Sequence, residues 1–388
     1  MSPRTRARDL ATKFALALAS LVVLFAVLEI GFRLAGFGAI YDVYSKPSVL
    51  WRHDDLLGWA YEPSASVQYV GPRPWPVEFS NPVRINSLGL RGPELSPRGD
   101  GELRVLVTGD SLVAGFEVSY PEIFTTLLED ELSRRLGRAV AVLNAGVRGY
   151  GTDQSYLYYR EHLRQLEPDL VVFLASANDP LNNVTVHRMR RPFGKGAFRL
   201  SEGGELELMG TPVPRYPLCS EYRLDDAFEV VRLDGLRSRI VCELQLKLAD
   251  HSALFTYVTL ALNRRPQLVN VLYRLGAPRP QRGAAVTPRE PQADAKTRLT
   301  GALVETFVRD ARANGSRMMI VLQQEGIGVP DAQRDAEGVA LVTLPESALE
   351  PELRFQRDGH WNAGGHRRVA DFLAPLLEEE LRQVLAGR

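Results

Sequence analysis

Two kinds of hydrophobic pattern divide the chain. The first is the apolar run FALALASLVVLFAVL, from Phe14 to Leu28, which resumes after Glu29 as Ile30, Gly31 and Phe32. It has the form of a helix that is hydrophobic on every side. Its fifteen residues fall short of a bilayer core, which needs about 20, so it spans only with Glu29 close to one interface. Arg4, Arg6, Arg8 and Lys13 precede it, and the positive-inside rule then keeps the amino end cytoplasmic and sends the rest of the chain across the membrane. No A-x-A cleavage site follows Glu29; this favours an uncleaved anchor over the competing reading, a signal peptide removed after export.

The second pattern begins after a lead-in rich in Pro, Trp and Tyr, whose short apolar stretches (67–70, 77–79, 83–85) read as short strands. Leu103 to Thr108 is a continuous run of buried-strand type. A helix is predicted from about Pro121, with Ser119 as cap, Phe124, Leu127, Leu128, Leu132 and Leu136 on one stripe, and Gly137 as stop. Ala139 to Leu143 predicts a second strand, Thr152 to Leu166 a second helix capped by Thr152, and Asp169 to Ala175 a third strand. Strand and helix alternating in this way indicate βαβ units and a parallel sheet. Residues 180–296 break the rhythm, ending in a Pro- and Arg-rich stretch from Ala277 that reads as a mobile loop. It resumes with a helix near Thr297 to Asn314, a strand from Met318 to Leu322, and a last helix from Ala363 to Leu385, where Pro375 predicts a kink. The expected domains are therefore 1–39 as tail and anchor, 40–102 as lead-in, and 103–388 as one α/β domain carrying the insertion.

Composition narrows the function. Lys and Arg together number 47, as do Asp and Glu, so no global basic surface exists to neutralise phosphates and nucleic acid is not an expected partner. Two cysteines among 388 residues exclude a disulfide scaffold; Cys219 and Cys242 remain free to pair in an exported chain, or to be two unrelated buried thiols.

In a parallel sheet, functional residues collect outside the carboxyl ends of the strands. Gly109-Asp110-Ser111-Leu112 follows the first core strand, and puts a serine on a tight turn at that edge. A serine nucleophile needs a base, and the base an orienting group; Asp358-Gly359-His360 supplies both just before the last helix. Oxyanion donors are available from Gly146, Gly149 and Gly151 after the second strand and from the Asn178 amide after the third. Each segment alone is ordinary turn chemistry, and their joint placement is the signal. The spacings of His53, His162, His187 and His251 suggest no metal site. His366, six residues past His360, reads as a surface residue, and Arg188, Arg190 and Arg191 as solvated loop charge, or a site for an anionic group.

These blocks resemble, in order, those of the SGNH (GDSL) hydrolase family. The resemblance implies a three-layer α/β/α flavodoxin-like fold, Ser111 as nucleophile and first oxyanion donor, Gly149 rather than Gly146 as the second, Asn178 as the third, and Asp358 and His360 as the remaining catalytic groups, with no cofactor. Two departures stand out: Ser176 occupies the place of the usual Gly in the third block, and Asp358-Gly-His360 is one residue shorter than Asp-x-x-His. That spacing, and Asn86-Ser-Leu-Gly-Leu-Arg91, look like membrane-anchored bacterial members and related polysaccharide O-acetyltransferases. The implied protein is an esterase on the periplasmic or extracellular side of the bacterial inner membrane, acting on an ester-bearing lipid, carbohydrate or small molecule. An O-acetyltransferase of envelope polysaccharide and a non-catalytic anchored binding protein are the alternatives.

Overall fold

Helix α1 (Pro3–Leu34) contains the apolar run and extends it on both sides. In the computed structural model the described residues are 3–34, 50–71, 77–201, 203–263, 293–329 and 339–387. Two hairpins precede the sheet: β1 (Trp51–Asp54) with β2 (Gly58–Tyr61), and β3 (Ser66–Gly71) with β4 (Phe79–Arg84). Strand β4 joins what the sequence presents as two short strands. It tolerates Pro82 because a two-stranded ribbon consists of edges, where a missing N–H can be accommodated.

The predicted alternation then follows: β5 (Leu103–Gly109), α2 (Ser111–Ala114), α3 (Phe124–Leu136), β6 (Val140–Gly146), α4 (Thr152–Tyr158), β7 (Leu170–Ala175) and α5 (Asp179–Val184). Boundaries shift for local reasons. Ser119 and Glu122 form a capping box on a single 3-10 turn, so α3 itself starts at Phe124; it stops at Gly137, whose φ of 63° is left-handed. Gly151, not Thr152, occupies the cap position of α4, and the predicted second helix changes after Tyr158 to a π turn and then a 3-10 turn.

Residues 185–235 contribute only short antiparallel pieces: β8 (Thr185–His187), β9 (Ala197–Leu200), β10 (Leu206–Met209), β11 (Tyr222–Leu224) and β12 (Val230–Arg232), arranged as a β9–β10 hairpin and a β12-β11-β8 sheet. Phe198, Leu224 and Phe228 share a core with Leu106 and Phe173 of the main sheet. A buried ion pair between Lys195 and Asp153 of α4 adds a polar tie.

Two helices of the insertion come next, α6 (Leu236–His251) and α7 (Ala253–Asn263), followed by α8 (Ala293–Ala313), β13 (Arg317–Leu322), β14 (Val339–Thr343) and α9 (Ala363–Ala386). Helix α8 begins four residues before the expected Thr297, so the end of the supposed mobile loop is helical. The rest of that loop lies outside the described residues. Pro375 lies inside α9, which continues through it.

The five-stranded sheet runs β14-β13-β7-β5-β6 with every pairing parallel. Side-chain alternation along β7 explains the layers. Val171 and Phe173 face a core shared with Leu299, Leu303 and Phe307 of α8. Leu170, Val172 and Leu174 face another, shared with Leu128 and Leu132 of α3 and Val369, Leu373 and Leu377 of α9. Each such side chain contributes about 1.5–3 kcal/mol on burial. The result is the three-layer α/β/α arrangement.

Residues 47–235 and 283–388 form one compact unit that contains the sheet; 1–46 and 236–282 form a second. Within the second unit the Glu29 carboxylate of α1 accepts hydrogen bonds from Ser252 Oγ (2.8 Å) and from the Ala253 and Leu254 N–H groups (2.9 and 3.0 Å), which begin α7. The ordinary route for a charge beside an apolar run is hydration; here it is paired, with Arg33 at 2.7 Å as well. Cys219 and Cys242 are both disulfide-bonded, so neither is a free thiol.

Candidate active site

The turn that leaves β5 is tightly specified. Gly109 has φ 153°, and a Cβ there would stand 2.8 Å from Val113 Cγ2 and 2.9 Å from the Leu174 carbonyl oxygen, so both backbone angle and space require glycine. Asp110 caps α2 through Leu112 N–H at 2.9 Å. Ser111 is thereby set as the first residue of that helix, half-buried at the carboxyl edge of the sheet.

His360 reaches it from 249 residues away, with its Nε2 2.8 Å from Ser111 Oγ. On the other side of the ring, Nδ1 is hydrogen-bonded to Asp358 Oδ1. With the proton on Nδ1 donated to Asp358, Nε2 accepts from the serine hydroxyl. The shortened Asp-x-His closes because Gly359 adopts φ 87°, which folds Asp358 back onto the ring two residues later. Burial alone raises the Asp358 carboxyl, but hydrogen bonding and charge from His360, together with the Arg148 charge, hold it below its usual value. It stays ionised near neutral pH.

The loop after β6 carries Gly149, exposed and at φ 84°. The loop after β7 carries Asn178, exposed, with its amide donating to Asp110 Oδ2 at 3.2 Å, next to the serine. Among the described residues, neither the Ser111 nor the Gly149 backbone N–H is used in another hydrogen bond. Ser176 fits where the family pattern has glycine: its N–H donates to Asp179 Oδ2 (3.3 Å) and its carbonyl accepts from Asp179 N–H (2.9 Å), so the turn closes. Burial, and then the charge of Asp110, push the Asp179 carboxyl well above its ordinary value.

Several supporting residues are not evident from the sequence. Glu117, 1% exposed, puts Oε1 3.5 Å from His360 Nδ1 and 2.5 Å from Arg148 Nη1. The guanidinium stacks over Tyr69 and Phe116, 5.2 and 5.7 Å from their ring centres. Burial works against its charge, but Glu117, first among its neighbours, holds the Arg148 pKa above normal. Glu117, Asp358 and His360 place donor atoms within 4.8 Å of one another; Arg148 already supplies the positive charge that this cluster needs. Trp59 Nε1 donates to the Arg148 carbonyl (3.2 Å), and Arg148 N–H donates to Tyr61 (3.0 Å). Glu78 accepts from Arg357 N–H and Asp358 N–H at 3.1 Å each. The lead-in thus frames the turn that carries Asp358.

The Asn86–Arg91 segment is likewise structural. Asn86 Oδ1 accepts from Leu88 and Leu90 N–H groups at 3.0 and 2.9 Å. Buried Arg91 donates to the carbonyls of Ala114 (2.6 Å) and Val118 (2.9 Å), bracketing the loop that holds Glu117. Its burial brings its pKa down to about 10.

One expectation needs correction. His366 is not a surface residue: it is 1% exposed, stacked on Phe124 and edge-on to Trp361. Burial brings it down to about 3, so it is neutral and accepts from Phe124 N–H at 3.4 Å. Arg188, Arg190 and Arg191 are exposed loop charges, and Arg188 also donates to Asn182 Oδ1 at 2.5 Å. Arg190 and Arg191 also have partners.

An arylesterase of Vibrio mimicus is 34% identical over 87 residues, which cover 22% of this chain and 43% of that protein. The chain therefore matches less than half the length of that relative. Among solved structures, TesA aligns with TM-score 0.38 at 15% identity over 71% of this chain and 99% of that one. The psychrotrophic esterase EstA from Pseudoalteromonas sp. aligns with TM-score 0.33 at 12% identity, over 73% and 97%. The profile of the GDSL-like lipase/acylhydrolase family matches residues 107–368, a span that begins inside β5 just before Ser111 and ends just past His360, and on that match the chain belongs to this family.

Proposed function

We propose that the protein is a serine ester hydrolase working through an acyl-serine intermediate. One observation carries the reading: Ser111 Oγ lies 2.8 Å from His360 Nε2, while Asp358 holds the other ring nitrogen. His360 takes the Ser111 proton as the oxygen attacks an ester carbonyl. The imidazolium that results is stabilised by Asp358, and by Glu117 beyond it. The tetrahedral oxyanion is held by the Ser111 and Gly149 N–H groups and the Asn178 amide; one such donor is worth about 2.7–4 kcal/mol of barrier. His360 then protonates the leaving alcohol, and water, deprotonated by the same imidazole, releases the acid. The unused Ser111 and Gly149 amides support the oxyanion assignment, as does Asn178 beside Asp110.

The reading extends to place. Helix α1 includes the segment Arg8–Leu34, whose most apolar 18-residue window has a mean hydropathy of 2.5 and no burial. It serves as a retained anchor in a bacterial inner membrane, with the hydrolase unit outside the cytoplasm; the basic residues ahead of it support that orientation. Hydrolysis of short p-nitrophenyl esters by full-length protein, lost in Ser111→Ala, tests the chemistry. Carbonate-resistant membrane association of the mature chain tests the anchor.

A further inference from the structure

Among the described residues, helix α6 carries an apolar ridge that is left largely uncovered. Leu236, Ile240, Leu244 and Leu248 recur every fourth residue and are 67, 49, 56 and 49% exposed, with Val241 beside them. Monomeric soluble domains seldom leave such a ridge in water. The same unit contains α1, whose apolar surface is also uncovered. The two are linked at a defined height: α6 ends at His251, α7 begins at Ala253, and the corner between them is clasped by Glu29 and Arg33 of α1. Besides the three bonds to Glu29, Arg33 Nη2 donates to the His251 carbonyl at 2.9 Å. That corner lies within the last six residues of α1, where the apolar segment ends.

Length and charge decide how α6 can use its ridge. Its 16 residues make a helix about 24 Å long, and α7 has 11; neither reaches the ~20 residues of a span. Arg237, Glu243 and Lys247 are exposed on α6, so immersion in hydrocarbon is excluded. Arg237 and Lys247 can extend their charges to headgroups while their stems cover apolar surface. Both basic residues lie on the same side of the helix as the ridge, and such a mixed apolar and basic face is suited to the interfacial layer of a bilayer.

We propose that α6 is an interfacial membrane helix, its Leu236–Leu248 ridge seated in the outer-leaflet boundary of the bilayer that α1 crosses, with the Glu29 clasp fixing its depth. This rests on the reading of α1 as a retained anchor. The inserted helices are then a second membrane contact, which limits the tilt and rotation of the unit that contains α1.

The test uses full-length protein in phosphatidylethanolamine/phosphatidylglycerol vesicles, with the fluorescence added by Leu244→Trp or Phe25→Trp read as a difference from the parent. The expected result is strong quenching of both by lipids brominated in the acyl chains, shallow positions acting best on Leu244→Trp, with neither open to aqueous iodide. Quenching of Leu244→Trp by iodide, with Phe25→Trp still quenched by lipid, overturns the proposal and leaves the anchor standing. Shielding of Leu244→Trp from both quenchers also overturns it, and assigns the ridge to a protein contact. Iodide access at both positions removes the anchor reading and the proposal together.

Discussion

Glu117 Oε1 stands 3.5 Å from His360 Nδ1, on the same side of the ring as Asp358, and is itself held by Arg148 at 2.5 Å. The imidazole thus faces two carboxylates and one guanidinium. Removing the Glu117 charge leaves Arg148 uncompensated near the ring, which disfavours the imidazolium formed during attack. Glu117→Gln is expected to lower kcat about tenfold, ~1.4 kcal/mol of barrier, with KM little changed. An unchanged kcat with a lowered thermal midpoint would assign Glu117 to folding alone.

His366 couples stability to pH. Its folded pKa, about 3, lies below the ordinary histidine value, so below about pH 6.5 the unfolded chain binds a proton that the folded chain resists. Stability from this group is intact above that pH and falls as pH drops, by at most about 1.4 kcal/mol per pH unit. In detergent micelles, His366→Gln should lose some stability at pH 7 through poorer packing, yet show a shallower acid decline than the parent. Parallel declines would contradict a buried neutral imidazole.

Asp179 has the opposite sign. Its folded pKa is raised, so above the ordinary carboxylate value the unfolded chain releases a proton that the folded chain retains, and stability falls as pH rises. Asp179→Asn keeps the shape and removes that loss. A thermal midpoint at pH 7 at or above the parent's is expected, with the advantage disappearing near pH 4.

Gly146 tests the fit between β6 and α2. A Cβ there would meet Ala114 N at 2.4 Å and Val113 Cβ at 2.6 Å, displacing the helix that begins with Ser111. Gly146→Ala should cut kcat/KM by at least about tenfold and cost about 1–3 kcal/mol of stability through overpacking. Esterase kinetics and urea unfolding measure the two effects.

The parallel sheet was legible because buried strands are continuous apolar runs, the Ser111 segment because it follows one directly, and the Asp358–His360 segment because it sets an acid and a base two residues apart just before the last helix. Glu117 and Arg148 were not: each is one charged residue in a loop, and only tertiary closure makes them a pair. The strands of 185–235 are three or four residues long, too short for a period to register. His366 could have been read correctly, since it lies three residues before Val369 and extends the buried ridge of α9 by one turn. Its charge-bearing type and its nearness to His360 obscured that periodicity. The α1 clasp was hidden for another reason, because Glu29 and Leu254 are 225 residues apart and a lone acid in an apolar run suggests hydration before capping.

Covalent labelling tests the central claim most directly. Full-length protein in membranes, treated with a fluorophosphonate probe and digested, should carry the adduct on the peptide containing Ser111; Ser111→Ala should show neither adduct nor p-nitrophenyl ester hydrolysis. Undiminished hydrolysis in Ser111→Ala, or an adduct on another serine, would contradict the account.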